Sequence, residues 1–199
     1  MLNIFARASV SRVTDPIGAA LVRAGLTPNA MTLIGTTGAF VCALVFFPAG
    51  MLLAGTFTVW GFVMLDLLDG AMARAKGSTP FGAVLDATCD RLVDGALFAA
   101  IAWWAFVEGN LRAATAALIC LVLAQVISYV KARAEASGFT SADGGLVERA
   151  ERLIIALVGT GLQGLGVPFA VEGSQWLLAA ASVVTLLQRI TAVAREARS

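Results

Sequence analysis

Residues 66–90 read DLLDGAMARAKGSTPFGAVLDATCD, and on this stretch the reading of the whole chain turns. It sets four carboxylates, Asp66, Asp69, Asp86 and Asp90, inside or beside two strongly apolar segments. A carboxylate near hydrocarbon costs roughly 2.5–3.5 kcal/mol on insertion scales, so four cost on the order of 10 kcal/mol. Such charges need a partner. Asp66, Asp69, Gly70 and Ala73 fall at i, i+3, i+4 and i+7, one face of an α-helix, and Gly82, Asp86 and Asp90 at i, i+4 and i+8 share a face of another. The short link 75–81 makes these helices an antiparallel pair whose acidic faces can converge. The cations nearest in sequence, Arg74, Lys76 and Arg91, leave at least one carboxylate unneutralised. Four carboxylates in a chain without histidine describe an all-oxygen site for a hard divalent cation, Mg²⁺ or Mn²⁺ rather than Zn²⁺. Gly70 and Gly82 remove side chains where a ligand would approach closely.

The whole chain of 199 residues is 59% hydrophobic, with a mean hydropathy of +0.85, which excludes an ordinary soluble domain. A net charge of +1 gives no nucleic-acid signal. Cys42, Cys89 and Cys120 lie in apolar segments without C-x2-C spacing, so they read as small buried hydrophobes and not as a disulfide or thiolate site. Any general base must be a carboxylate, a lysine or a tyrosine.

The expected fold class is all-α integral membrane: one domain over 1–199, with an amphipathic interfacial helix at 1–27 and a six-helix transmembrane bundle over 28–199. In the first part Leu2, Ile4, Phe5, Val10, Val13, Ile17 and Leu21 recur at roughly helical spacing among Arg7, Arg12 and Arg23, and Pro16 interrupts the run. The six spans are read at about 29–48, 51–75, 82–107, 111–136, 148–168 and 174–196, each long enough for about 30 Å of hydrocarbon. With six spans nearly all arginines and lysines fall on one side and only Arg112 on the other, which places both termini and the acidic stretch in the cytoplasm of a plasma-membrane protein. Trp103, Trp104 and Trp176 mark the outer interface. Asp94, one turn beyond Asp90, reads as a supporting partner, with Arg91 the nearest cation, and not as a fifth ligand.

The pattern D-x2-D-G-x2-A-R followed by G-x3-D-x3-D, here Asp66, Asp69, Gly70, Ala73, Arg74, Gly82, Asp86 and Asp90, resembles the signature of the CDP-alcohol phosphotransferase family. All eight fixed positions are present, and the spacer between Arg74 and Gly82 is one residue shorter than the family's usual one. The resemblance implies transfer of a substituted phosphoryl group from a CDP-linked donor to an alcohol, with release of CMP. It implies that Asp66, Asp69, Asp86 and Asp90 hold metal, two Mg²⁺ ions or Mn²⁺, and that Asp90 is also the general base. It further implies that Asn29, Ala30, Met31, Thr32, Gly70, Ala73, Arg74, Thr79 and Gly82 line the CDP-diacylglycerol site, and that the protein is a homodimer. Spacing alone does not choose Asp90 over Asp86 as the base.

The motif does not read the acceptor. Lys131, Arg133, Arg149, Arg152 and Arg189 form a second basic group suited to a doubly charged phosphate, although positive-inside bias alone also places cations there. The stretches FGAVLDATCDRLVDGALF, QVISYVKARAEASG and ERAERLIIAL resemble the family's actinobacterial branch that makes phosphatidylinositol phosphate. That resemblance implies inositol 1-phosphate as acceptor, held by Lys131, Arg152 and Arg189; it also leads one to expect proline where this chain has Ala150. Glycerol 3-phosphate, giving phosphatidylglycerophosphate, is a second acceptor that the basic group would equally suit. A small cation or proton transporter is the reading from another class, and the apolar run from Gly95 to Trp104 argues against it.

Overall fold

The computed structural model describes residues 2–142 and 144–198, with side chains from residue 12 onward. Leu2, Ile4, Phe5, Arg7 and Val10 of the expected amphipathic face lie outside the described side chains. Among the described residues the secondary structure is helical throughout: α1 (Leu2–Arg23), α2 (Pro28–Phe46), α3 (Leu52–Val63), α4 (Leu65–Lys76), α5 (Pro80–Val107), α6 (Leu111–Ala136), α7 (Arg149–Gly164) and α8 (Ala170–Glu196). Among the described residues, four stretches are long and apolar enough to cross a bilayer: Pro28–Phe46, Leu52–Lys76, Leu111–Ala136 and Ala170–Glu196. Only 22–39% of the most apolar window in each is buried within the protein. Large apolar side chains such as Phe57 and Trp103 face outward, which requires an apolar exterior.

Several features differ from the sequence expectation, among them the fifth expected span, whose helix α7 ends at Gly164 and not at 168, with 16 residues. The second span is not one helix, because the ladder changes at Met64. There the Met64 N–H still reaches Trp60 O at 3.0 Å, but the Leu67 N–H turns to Met64 O, three residues back, at 3.2 Å. A tighter turn thus spans Met64 to Leu67 and includes Asp66. Pro16 also fails to break α1, which runs through it. An interior proline normally ends a helix, and here packing offsets that cost. A β-carbon placed on Gly18 would lie 2.9 Å from both Ala71 Cβ and Met72 N, so α1 is seated directly against α4.

The chain forms two compact units, Met1–Cys42 with Thr58–Val93, and Ala43–Phe57 with Asp94–Ser199. The first is centred on buried Ala39, Val59, Ala71, Met72 and Cys89. In the second, α8 packs on α6 and α7 around Leu97, Phe98, Ile127, Leu157 and Leu178. Gly159 lets α7 approach α8, since a β-carbon there would overlap Ser174. At Ala150 the expected proline is not needed to start α7: the Glu151 carboxylate accepts the Glu148 backbone N–H at 3.1 Å. Cys42, Cys89 and Cys120 are all free thiols, the last two buried.

Candidate active site

The first unit builds its site from two helix starts and one helix end. Thr27-Pro28 opens α2 and Thr79-Pro80 opens α5, and both threonines act as N-caps. Thr27 Oγ1 accepts the Ala30 N–H at 3.2 Å, and Thr79 Oγ1 accepts the Gly82 N–H at 3.0 Å. The following prolines take the first helical position, where no N–H is needed. The cap of α2 is therefore Thr27, which leaves the Asn29 and Thr32 side chains to other work. Between α4 and α5 only Gly77, Ser78 and Thr79 are non-helical. Gly77 adopts φ 102°, a conformation that favours glycine, and reverses the chain there. The two starts meet: a β-carbon on Gly82 would be 3.0 Å from Thr79 Oγ1 and 3.2 Å from Asn29 Oδ1.

These elements enclose a cavity of about 440 Å³. Of the residues singled out in the sequence, Asn29, Thr32, Asp69, Gly70, Ala73, Thr79, Gly82 and Asp86 line it. Ala30, Met31, Asp66, Arg74 and Asp90 do not, and Met31 belongs to the buried core. The lining also includes Thr27, Pro28, Lys76, Gly77, Ser78 and Ala83, which the sequence analysis did not select. The repeated Thr-Pro pair was the signal that could have found the first of these, since it marks a helix start with exposed N–H groups.

At the cavity, Asp66, Asp69 and Asp86 each offer one oxygen, and the three atoms lie within 4.8 Å of one another. Asp69 is buried and the other two are partly buried. The donors are all carboxylate oxygens, a set that fits Mg²⁺ or Mn²⁺. Asp90 is not a member of this mutual group; its Oδ2 lies 3.8 Å from Arg91 Nη2. Asp69 is further held by Thr32, whose buried hydroxyl donates to Asp69 Oδ2. Arg74 points toward α1, with Nη2 2.6 Å from Asp15 Oδ1. Its other terminal nitrogen, Nη1, stays near the cavity, 3.7 Å from where a Gly70 β-carbon would be.

The cations expected to bind the acceptor lie in the second unit, each in a different setting. Arg189 is buried on α8, donating from Nε to Gly144 O and from Nη1 to Ile127 O, both at 3.0 Å. It borders a cavity of about 450 Å³ with Ser141, Gly144, Gly145, Leu146, Gln188 and Ala192. The α6–α7 loop forming that wall is tied to α8. Thr140 and Ser141 donate to Glu196, Leu146 N–H to Gln188, and Val147 N–H to Thr185. Lys131 Nζ is 3.7 Å from Glu135 Oε1. Arg152 is buried, with Nη2 3.6 Å from Asp94 Oδ2, and Arg149 Nε lies 3.4 Å from Asp94 Oδ1. The sequence suggested Arg91 beside Asp94; the structure also brings to it two arginines of α7, one turn apart, which no local spacing could reveal.

A family model for CDP-alcohol phosphatidyltransferases matches residues 25–190. The chain belongs to this family. It is 53% identical to the phosphatidylinositol phosphate synthase of Mycobacteroides abscessus over 97% of this chain and 89% of the relative. It is 47% identical to that of Corynebacterium glutamicum over 96% and 88%. Among solved structures, that of the Mycobacterium tuberculosis phosphatidylinositol phosphate synthase with CDP-DAG bound superposes with a TM-score of 0.86 at 53% identity, covering 92% of this chain and 94% of the other. The same enzyme in complex with manganese and citrate gives 0.86 at 52% identity, with 91% and 88% covered.

Proposed function

We propose that this family member transfers the phosphatidyl group of CDP-diacylglycerol to inositol 1-phosphate, releasing CMP and forming phosphatidylinositol phosphate. The observation that carries the reading is the convergence of Asp66, Asp69 and Asp86 at a cavity entered by the starts of α2 and α5. A diphosphate would be repelled by three carboxylates alone, so a divalent cation must stand between them. Two such ions, Mg²⁺ or Mn²⁺, bound by these aspartates would neutralise the diphosphate and the charge growing on departing CMP. The protein's own groups do the rest. The helix starts present backbone N–H groups to phosphate oxygens. Gly70 and Gly82 keep the walls thin, and Arg74 and Lys76 supply positive charge at the nucleotide end. Asp90, one turn beyond Asp86 on α5, accepts the proton of the acceptor hydroxyl.

Lys131, Arg152 and Arg189 bind the acceptor phosphate in this reading. It is supported by the burial of Arg152 and Arg189 on α7 and α8 and by the names of the relatives. The donor's acyl chains remain in the bilayer, so the cavity opens sideways to lipid. Phe81 and Val84, exposed and apolar beside cavity-lining Gly82 and Ala83, support that direction.

In the membrane we assign six crossings, with α5 and α7 added to the four most apolar stretches. At 28 residues α5 is about 42 Å long, and the charges it carries, Asp86, Asp90, Arg91 and Asp94, rather than its length set it apart. Lysines and arginines gathered on one side put both termini and the aspartates in the cytoplasm of a plasma-membrane homodimer, with α1 in the interface. The family match runs through both compact units, which supports one domain.

The test is CMP release from CDP-diacylglycerol by the purified protein in lipid with Mg²⁺. Inositol 1-phosphate, glycerol 3-phosphate, free inositol and no acceptor are compared. Turnover confined to inositol 1-phosphate is expected. Turnover confined to glycerol 3-phosphate would remove the assigned acceptor, and no CMP with any acceptor would remove the transferase reading.

A further inference from the structure

We infer that Thr32 is a positioning residue for Asp69, fixing which carboxylate oxygen is presented to the metal, and is not itself a contact to the nucleotide. The inference rests on the metal-site reading above. Thr32 lies in the second turn of α2 and Asp69 in the middle of α4, so their hydrogen bond joins two helices across 37 residues of sequence. Both side chains are nearly dry, at 8% and 6% exposure.

The Thr32 hydroxyl has two acceptors within reach, Asp69 Oδ2 and Pro28 O at 3.1 Å, but only one hydrogen. A helical threonine commonly bonds back to the carbonyl four residues earlier. That contact fixes the hydroxyl over the first turn of α2, and the charged carboxylate is then the stronger acceptor of its hydrogen. Asp69 Oδ2 is thereby occupied on one side, and the carboxylate cannot swing about its Cβ–Cγ bond without giving up the hydrogen bond. Oδ1 and the free side of Oδ2 are left for the cluster with Asp66 and Asp86. Partners of this kind, which orient a ligand without touching the metal, are typically worth about 10–100-fold in metal affinity. The same bond ties the carboxylate cluster to the helix start that lines the nucleotide cavity, so the two parts of the site are set by one contact.

Mn²⁺ binding to the detergent-solubilised protein without either substrate, followed by electron paramagnetic resonance of the free ion, tests this. Wild type, Thr32→Val, Thr32→Ser and Asp69→Asn are compared, with Thr32→Ala in place of Thr32→Val should the latter not fold. Thr32→Val is expected to weaken Mn²⁺ binding by about 10–100-fold, and Thr32→Ser, which restores the hydroxyl, to return it to within about 3-fold of wild type. Mn²⁺ affinity unchanged in Thr32→Val or Thr32→Ala, with a raised KM for CDP-diacylglycerol, would overturn the inference and make Thr32 a substrate contact. Equal weakening in Thr32→Ser would also overturn it, because packing rather than the hydroxyl would then matter. Failure of the metal reading itself looks different: wild type and Asp69→Asn would bind Mn²⁺ alike.

Discussion

Arg74 Nη2 lies 2.6 Å from Asp15 Oδ1, so the motif's arginine is tethered to the N-terminal helix. Both side chains are more than half exposed. An exposed ion pair contributes only about 0.2–1 kcal/mol, so stability is not what the tether supplies. It holds the guanidinium with Nη1 close to Gly70, which lines the cavity. Asp15→Asn should therefore leave the thermal midpoint within a few degrees of wild type while raising the KM for CDP-diacylglycerol by about 3–10-fold. A KM that does not move would mean that Arg74 plays no part in binding the donor.

Gly82 sits where the starts of α2 and α5 come together. In Gly82→Ala the new methyl must push Thr79 Oγ1 and Asn29 Oδ1 away by a few tenths of an ångström. Thr79 Oγ1 is the cap of α5, so its displacement also loosens the Gly82 N–H bond. A lost cap costs about 1 kcal/mol. We expect a modest fall in stability and a clear loss of donor affinity, read as tighter CMP binding in wild type than in the variant by isothermal titration. Identical CMP affinities would show that the space over Gly82 is not used by the nucleotide.

Asp94 answers two arginines of α7, and it is almost wholly buried, as is Arg152. Removing one member of a buried pair leaves the other charge uncompensated, at a cost of about 3–5 kcal/mol. Asp94→Asn should lower the unfolding midpoint sharply, and Asp94→Leu combined with Arg152→Leu should recover a substantial part of the loss. If the double variant is no more stable than Asp94→Leu alone, the pair is not the reason for the loss.

The apolar runs made the helices legible, and the i, i+3, i+4 spacing put Asp66 and Asp69 on one face of α4. The same spacing could not say which carboxylates would meet. Asp86 joins them because Gly77 reverses the chain within three residues, while Asp90, one turn farther along α5, is not among the three whose oxygens lie mutually within 4.8 Å. The Met64 change of ladder was hidden because LLAGTFTVWGFVML contains no breaker at that point. The partners of Arg74 and Asp94 were hidden for a different reason. Each lies more than fifty residues away, and pairing at that range is set by how helices pack, which a local pattern does not contain. Pro16 misled because a rule about isolated helices was applied to one held by Gly18 against α4.

The separation of Asp90 from the three clustered aspartates predicts that binding and chemistry come apart on mutation. Asp69 is buried within the cluster and held by Thr32, so Asp69→Asn removes one of the three clustered negative charges and puts an amide in place of the carboxylate. Its Mn²⁺ affinity should fall by more than 10-fold, and CMP release should fall with it. Asp90 stands outside the mutual 4.8 Å group, next to Arg91. Asp90→Asn should keep Mn²⁺ affinity within about 3-fold of wild type yet lose turnover by about 10²–10⁴-fold, the range for removal of a general base. Stripping metal from wild type with EDTA should abolish CMP release, and added Mg²⁺ or Mn²⁺ should restore it; in Asp90→Asn neither ion should. If instead Asp90→Asn loses Mn²⁺ as completely as Asp69→Asn does, Asp90 is a ligand in the working site, and the proton must leave the acceptor hydroxyl by another route.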